Sequence, residues 1–202
     1  MLNGVNNQSF WDNIYKNRNV GWDLKSSTPA FKSFLKEQNF PTSSKILILG
    51  SGYGYDAIEA AKMGLEVTAV DFSQIATNTA IKNADKQKIK INFLIKDFFT
   101  LRQDYNSYFN LVYDYVSYCA IDPSRRKEYA KLIGDLLKCN GTYIALWFPV
   151  EKRKDGPPYG IDLDETQKIF SGFLKLQMTL IHKDTINPRK GREVLQTYQK
   201  QC

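Results

Sequence analysis

Residues 46–56, Ile46-Leu47-Ile48-Leu49-Gly50-Ser51-Gly52-Tyr53-Gly54-Tyr55-Asp56, carry the reading that decides the fold. An unbroken apolar run of this kind is a strand buried on both faces. The glycines at 50, 52 and 54 then permit a tight turn and leave bare backbone for a ligand's close approach. Ala57-Ile58-Glu59-Ala60-Ala61-Lys62-Met63 follows with helical spacing and composition. Strand, glycine turn and helix together open a nucleotide-type site at the carboxyl edge of a parallel sheet.

Two cofactors compete for that site. Gly52-Tyr53-Gly54-Tyr55-Asp56-Ala57 satisfies G-x-G-x-x-G/A, so a dinucleotide such as NAD(P) stays open on pattern. Asp56 argues against it, because a pyrophosphate would need the positive end of the helix that this carboxylate already occupies. S-adenosylmethionine has no phosphate and carries a cationic sulfonium and α-amino group, so an acidic turn suits it better. Asp56 is equally well read as a simple complement to the helix dipole. The next strand, 65–70, ends at Asp71, about 20 residues past the first glycine, where a carboxylate accepts hydrogen bonds from ribose hydroxyls. The other reading of Asp71 is a helix N-cap, for which Ser73 is the better candidate.

With 202 residues and 43% hydrophobic composition, the chain reads as one domain over 1–202. Residues 1–40 are expected as a helical lid and 41–202 as a Rossmann-like core. No apolar run approaches the ~20 residues that span a bilayer, and the first residues lack a basic region and an apolar signal core. The expectation is therefore a cytoplasmic protein with no membrane contact. Cys119, Cys139 and Cys202 are widely separated and match no zinc spacing, so neither a disulfide nor a metal is expected. The net charge is +7, with Lys152, Arg153, Lys154, Lys183, Arg189, Lys190 and Arg192 crowding the last third. No nucleic-acid-binding motif accompanies them. The expectation is a monomer without a nucleic-acid partner, whose basic surface attracts small anionic substrates.

Along the chain, residues 9–16 read as a capped amphipathic helix with Phe10, Trp11 and Ile14 on one side, and Thr28-Pro29 starts a second. A helix over 74–86 precedes a strand over 89–95 that alternates enough to lie near an edge. Strand 109–116, helix 124–138, an Asn140-Gly141 turn and strand 142–148 follow. A short helix over 163–170 precedes strands 174–182 and 194–198, which read as an antiparallel pair. The sum is an α/β three-layer sandwich with a mostly parallel seven-stranded sheet and a C-terminal antiparallel hairpin.

Several stretches match a known family in order over almost the whole chain. They are Phe10-Trp11-Asp12, Gly21-Trp22-Asp23, Thr28-Pro29, the glycine loop, Val70-Asp71-Phe72-Ser73, Asp97-Phe98-Phe99, Tyr113-Asp114-Tyr115, Cys119-Ala120-Ile121-Asp122-Pro123, Gly156-Pro157-Pro158-Tyr159 and Pro188-Arg189-Lys190-Gly191-Arg192-Glu193. The chain resembles the thiopurine S-methyltransferase superfamily, most closely its plant-type halide/thiol (thiocyanate) methyltransferase branch. The resemblance implies a class I S-adenosylmethionine-dependent fold that transfers a methyl group to a small soft nucleophile, either a thiol, hydrosulfide, thiocyanate or halide, or a thiopurine or aryl thiol. It implies cofactor contacts from Trp11, Tyr15, Trp22, Gly50, Asp71, Asp97, Phe98 and Tyr115, with Gly52 beside Gly50 in the turn. That branch usually carries Trp where Tyr15 stands and Cys where Ser51 stands. It also implies that Tyr159 and Arg126 work on the acceptor, while Tyr115, at a strand end where reacting groups gather, is read as a third catalytic candidate or as a structural tyrosine.

The residue types agree. A sulfonium is a soft cation, and each aromatic face attracts a cation by about 0.5–2 kcal/mol. Trp11 and Trp22 therefore suit a cation-clamping lid, or, as ordinary packing, anchors for a helix and loop. Asp97, just past a strand, suits the adenine amino group or a loop cap. Methyl transfer to a soft anion needs alignment and dehydration more than a base, and His182 falls on a late strand away from the cofactor edge. Asp23 and Asp122 could hold a water near a thiol, and nothing in the sequence selects either. Pro-Pro-Tyr follows the fifth strand here, not the fourth, which separates it from the signature of enzymes that methylate amino groups on DNA bases.

Overall fold

Alternation along β1 (Lys45–Leu49) sorts the core into two halves. Ile46 and Ile48 point to one face of the sheet and Leu47 and Leu49 to the other, as a period of two requires. On the first face lie α2 (Pro29–Gln38) and α3 (Tyr55–Lys62), whose Phe31, Phe34, Ala57 and Ala60 fill that cluster. On the second lie α6 (Arg126–Leu136) and α7 (Leu163–Ser171), contributing Tyr129, Ile133 and Phe170. The structure, a computed structural model, describes residues 4–18, 20–153, 155–181, 185–187 and 189–202.

The strands are completed by β2 (Glu66–Asp71), β3 (Asn92–Ile95), β4 (Phe109–Tyr115), β5 (Leu137–Trp147), β6 (Lys175–Leu180) and β7 (Val194–Gln199). They form one seven-stranded sheet in the order β3-β2-β1-β4-β5-β7-β6. The first five run parallel; β7 pairs antiparallel with β5 and β6. The expected class I methyltransferase architecture is present, with β3 at an edge. Strand order reverses beside β1, so the carboxyl ends of β1 and β4 diverge and open the crevice in which such sheets bind ligands. Ser73 caps α4 (Gln74–Lys86) by accepting from the Ala76 amide at 3.2 Å, as expected.

Four expectations need correction. α1 (Gln8–Lys16) starts behind Asn7, whose side chain makes no capping hydrogen bond, and Ser9 lies inside the helix. Asn140-Gly141 is not a turn before β5 but lies within it, with Asn140 in the left-handed region at φ 60° and a register shift on the partner strand between Phe109 and Leu111. The helix over 124–138 ends at Leu136, and the strand takes up the remainder. Within residues 1–40, α2 is a layer of the core rather than a cover: Phe31 is fully buried and stacks on Tyr113 at 3.7 Å between ring centroids.

The cysteines were also misjudged from spacing. Cys139 and Cys202 form a disulfide, with Cα atoms 5.1 Å apart, although 63 residues separate them. Pairing of Thr142 with Gln199 brings the two together, a contact no spacing rule reveals. Closing so long a loop restricts the unfolded chain, so Cys202→Ser should lower stability by about 2–4 kcal/mol. Denaturant unfolding checks this: the loss should appear without reductant and vanish with dithiothreitol, which reduces exposed disulfides readily.

Candidate functional site

The carboxyl ends of β1 to β5 and the N-terminal segment enclose one cavity of about 730 Å³. Each strand delivers its wall residues at or just after its last ladder position. β1 gives Gly50, β2 gives Asp71 and Phe72, and β5 gives Phe148. Asp97, Phe98 and Phe99 follow β3, and Val116 and Ser117 follow β4. Trp11 and Tyr15 from α1, and Trp22, Asp23 and Leu24 from the loop behind it, close the opposite side. The sheet edge and a short helical flap thus meet over the same space.

Gly50 is a positional necessity. Its φ is +53°, and a Cβ there would collide with the Ser117 hydroxyl, which donates to the Leu49 carbonyl at 3.0 Å. Gly54, at φ +81°, lets α3 approach α4 so closely that a Cβ would meet Ala80 Cβ at 2.8 Å. The glycine turn therefore keeps its backbone open to the cavity while both flanking helices pack.

Asp71 is buried and its two oxygens accept from the Gly52 amide at 2.7 Å and the Ser73 amide at 2.8 Å. Burial raises its pKa to about 6, against the pull of those amides, and nearby Asp12 raises it further. Asp12 itself accepts from the Ser73 hydroxyl at 2.6 Å and latches α1 to the start of α4. Asp97 stands in the wall and accepts from the Phe99 amide at 3.0 Å, so it is a loop cap and a wall carboxylate at once.

The flap is an aromatic ladder. Trp11 meets Trp22 edge-to-face at 6.0 Å, Trp22 meets Tyr15 at 5.7 Å, and Tyr15 meets Tyr53 of the glycine turn at 5.3 Å. The Trp22 indole donates to the Tyr15 hydroxyl and the Trp11 indole to the Val5 carbonyl. Burial holds the Tyr15 phenol well above its usual pKa, so it stays neutral.

Seven of the residues expected at the cofactor therefore share one wall: Trp11, Tyr15, Trp22, Gly50, Asp71, Asp97 and Phe98. Gly52 and Tyr115 border a smaller adjoining recess of about 70 Å³. The acceptor residues are placed differently from expectation. Arg126 is buried behind the cavity, donating to the Gly160 carbonyl at 2.8 Å over the Tyr118 ring. Its neighbour Arg125 stands in the wall instead, its guanidinium 3.5 Å from the Phe99 ring centroid. One residue along a helix start turns a side chain by about 100°, enough to exchange the two. Tyr159 lies behind Pro157 and Pro158, which do line the cavity, and its amide donates to the Cys119 carbonyl at 2.7 Å. The Tyr115 hydroxyl donates to Glu193 at 2.7 Å.

Asp56 needs the same correction. It does not stand in the wall of the main cavity: its half-buried carboxylate lies beside the smaller recess and accepts the Thr28 amide at 2.6 Å and hydroxyl at 2.7 Å, holding the start of α2. Burial raises its pKa to about 6. The acidic side of the cavity comes from Asp23, Asp71 and Asp97 instead.

Sequence reasoning did not single out Arg189, which is 3% exposed and stands in the cavity wall. Its Nη2 donates to the Trp22 carbonyl at 2.8 Å, and its guanidinium lies 4.9 Å and 5.0 Å from the Phe148 and Tyr115 rings. The signal available was its place in the Arg189-Lys190-Gly191-Arg192-Glu193 run. His182 and Pro188 lie outside the described residues.

The sequence profile of the thiopurine S-methyltransferase (TPMT) family matches residues 6–201. The chain belongs to that family. Among curated relatives of this thiopurine S-methyltransferase family protein, "Probable thiol methyltransferase 2" of Arabidopsis thaliana is 29% identical over 98% of this chain and 88% of its own length. "Thiocyanate methyltransferase 1" of Brassica oleracea is 30% identical over 94% and 84%. The thiopurine S-methyltransferase of Vibrio parahaemolyticus is 24% identical over 96% and 95%. Among solved structures, 1,6-didemethyltoxoflavin-N1-methyltransferase of Burkholderia thailandensis, with S-adenosylhomocysteine bound, superposes with a TM-score of 0.76 at 18% identity, covering 98% of this chain and 88% of that one.

The family protein is an S-adenosylmethionine-dependent methyltransferase, and the wall fits that cofactor. Aromatic faces, three carboxylates and a side-chain-free glycine suit a cationic nucleoside, and the carboxylates disfavour a pyrophosphate. The dinucleotide reading loses its place.

Proposed function

We propose that the acceptor is a small, soft, anionic nucleophile: a thiolate, hydrosulfide, thiocyanate or halide. The observation that carries this is Arg189. Its Nη1 is buried and makes no hydrogen bond among the described residues, while Val116, Ile121, Phe148, Pro157, Pro158 and Ile186 make the surrounding wall apolar. An unmet guanidinium N–H in an apolar wall fits an anion that gives up its water cheaply, since guanidinium is itself weakly hydrated.

Bound S-adenosylmethionine supplies a methyl carbon activated by a positively charged sulfur. The chain's residues then divide the remaining work. Trp11, Tyr15 and Trp22 would hold the cation, Asp71 would accept from the ribose, and Asp97 and Phe98 would hold the adenine. α1 and the loop 20–28 form the lid, smaller than the 1–40 span read from sequence. No lysine lines the cavity among the described residues, and none is needed as a base. Thiols are a few per cent ionised near pH 7 and halides carry no proton. Alignment alone is worth up to about 7–11 kcal/mol in well-oriented systems.

A volume of about 730 Å³ also favours a second reading, an aryl thiol or thiopurine acceptor. Headspace detection of methylated products over iodide, thiocyanate, hydrosulfide, methanethiol and thiophenol separates the two. Arg189→Met should raise KM for the small anions about tenfold or more while sparing S-adenosylhomocysteine affinity, as expected for a lost charged hydrogen bond. Unchanged anion kinetics would remove Arg189 from the acceptor site, and turnover of aryl thiols alone would favour the second reading.

A further inference from the structure

We infer that Glu193 is a positioning residue that sets which anions the acceptor site admits, by cancelling most of the charge of Arg189 while holding its geometry. This rests on the proposed anionic acceptor. Glu193 is buried at 7% exposure, and it joins Arg189 of the cavity wall to Tyr115 of the adjoining recess. The Tyr115 hydroxyl donates to Oε1 at 2.7 Å, the Thr185 hydroxyl donates to Oε2, and Arg189 Nη1 stands 3.9 Å from Oε1. Arg189 in turn reaches the lid through the Trp22 carbonyl. Burial pushes the Glu193 carboxyl up and the Arg189 guanidinium down, and the attraction between the two opposes both shifts, so each group keeps the other charged.

The physical consequence concerns selection. A pair of opposite charges 3.9 Å apart offers an incoming anion a directed N–H but little net attraction. Any anion entering the apolar wall loses its water, and that loss grows with its charge density. Weakly hydrated anions lose little and are satisfied by one directed donor. Compact, strongly hydrated anions require a strong field, which Glu193 withholds. Without the carboxylate charge the guanidinium field rises, and the gain is largest for the smallest anion because attraction scales as the inverse of distance. Glu193 thus acts through Arg189 and touches neither acceptor nor cofactor.

Competitive inhibition against thiocyanate or hydrosulfide turnover tests this, with perchlorate as the weakly hydrated probe and chloride as the compact one. The wild-type enzyme should be inhibited far more tightly by perchlorate. Glu193→Gln, which keeps shape and one of the two acceptor oxygens but removes charge, should shrink the ratio of the chloride to the perchlorate inhibition constant by about fivefold to tenfold. Glu193→Asp should retain the wild-type preference. A ratio of two constants in one preparation is independent of the fraction folded, and S-adenosylhomocysteine affinity reports the cofactor half separately. If Glu193→Gln does not fold, Thr185→Val strips one donor from the carboxylate and should move the ratio in the same direction by a smaller factor. An unchanged ratio in a variant that still turns over overturns the role of Glu193 and leaves the acceptor class intact. Absence of turnover on any small anion by the wild type overturns both.

Discussion

Asp114→Ala is expected to destabilise the folded protein by about 4 kcal/mol or more, the range reached when a buried charged partner is removed from several donors. Asp114 is 2% exposed and stands at the next-to-last position of β4. Its carboxylate accepts from the Ser117 amide at 2.9 Å, the Tyr118 amide at 3.1 Å, the Tyr129 hydroxyl at 2.8 Å and the Tyr143 hydroxyl at 3.3 Å. Alanine would leave these donors in a core that no water reaches. The function at stake is local. Val116 sits between two of the anchored positions with φ at +63°, a conformation costing a β-branched residue about 1–3 kcal/mol. Asp114 holds the turn that makes Val116 and Ser117 part of the cavity wall. Guanidinium unfolding of Asp114→Ala and Asp114→Asn measures the effect, and the isosteric amide should fall between wild type and alanine. A loss below about 1 kcal/mol for alanine would mean that these donors find other partners.

Much of this fold was legible because apolar runs mark β1 and β4, a 3.6-residue period survives along α2 and α4, and glycine and proline mark their ends. What stayed hidden depended on where the chain returns. The Cys139–Cys202 bridge follows from β7 pairing with β5, the left-handed Asn140 accompanies a register shift between β4 and β5, and the Glu193 network joins the start of β7 to the end of β4. That the residues proposed for the cofactor line one cavity was readable because strand ends in a parallel sheet deliver their next residues to one edge. The acceptor half was not, because its residues come from a helix start and irregular segments with no period to fix their direction. Arg125 and Arg126 show this most simply: the same charge at adjacent positions, one in the wall and one behind it. Asp56 shows the converse, a residue in the expected place whose carboxylate is spent on Thr28.

Asp71→Ala is expected to weaken S-adenosylhomocysteine binding by about 2–3 kcal/mol if Asp71 is the proposed ribose acceptor, since the substitution also strands the Gly52 and Ser73 amides beside it. Titration calorimetry measures that loss directly, and unchanged affinity would remove Asp71 from the cofactor site. The pH dependence separates its role from general packing. The pKa of Asp71 is raised to about 6 by burial, so in the free protein the ionised form is disfavoured. Its contribution to stability is present below the ordinary carboxylate pKa and is lost as pH rises through about 6. Cofactor binding carries the opposite sign, because ribose hydroxyls donate to the ionised carboxylate and draw its pKa back down. Affinity should therefore fall as pH drops below about 6, approaching one decade per pH unit. Asp56 titrates in the same window but holds Thr28 away from the cavity wall. Asp71→Asn should consequently flatten the binding profile and Asp56→Asn should leave its slope in place. A profile flattened by Asp56→Asn instead would mean that the lid, through the start of α2, governs cofactor affinity, rather than the carboxylate at the end of β2.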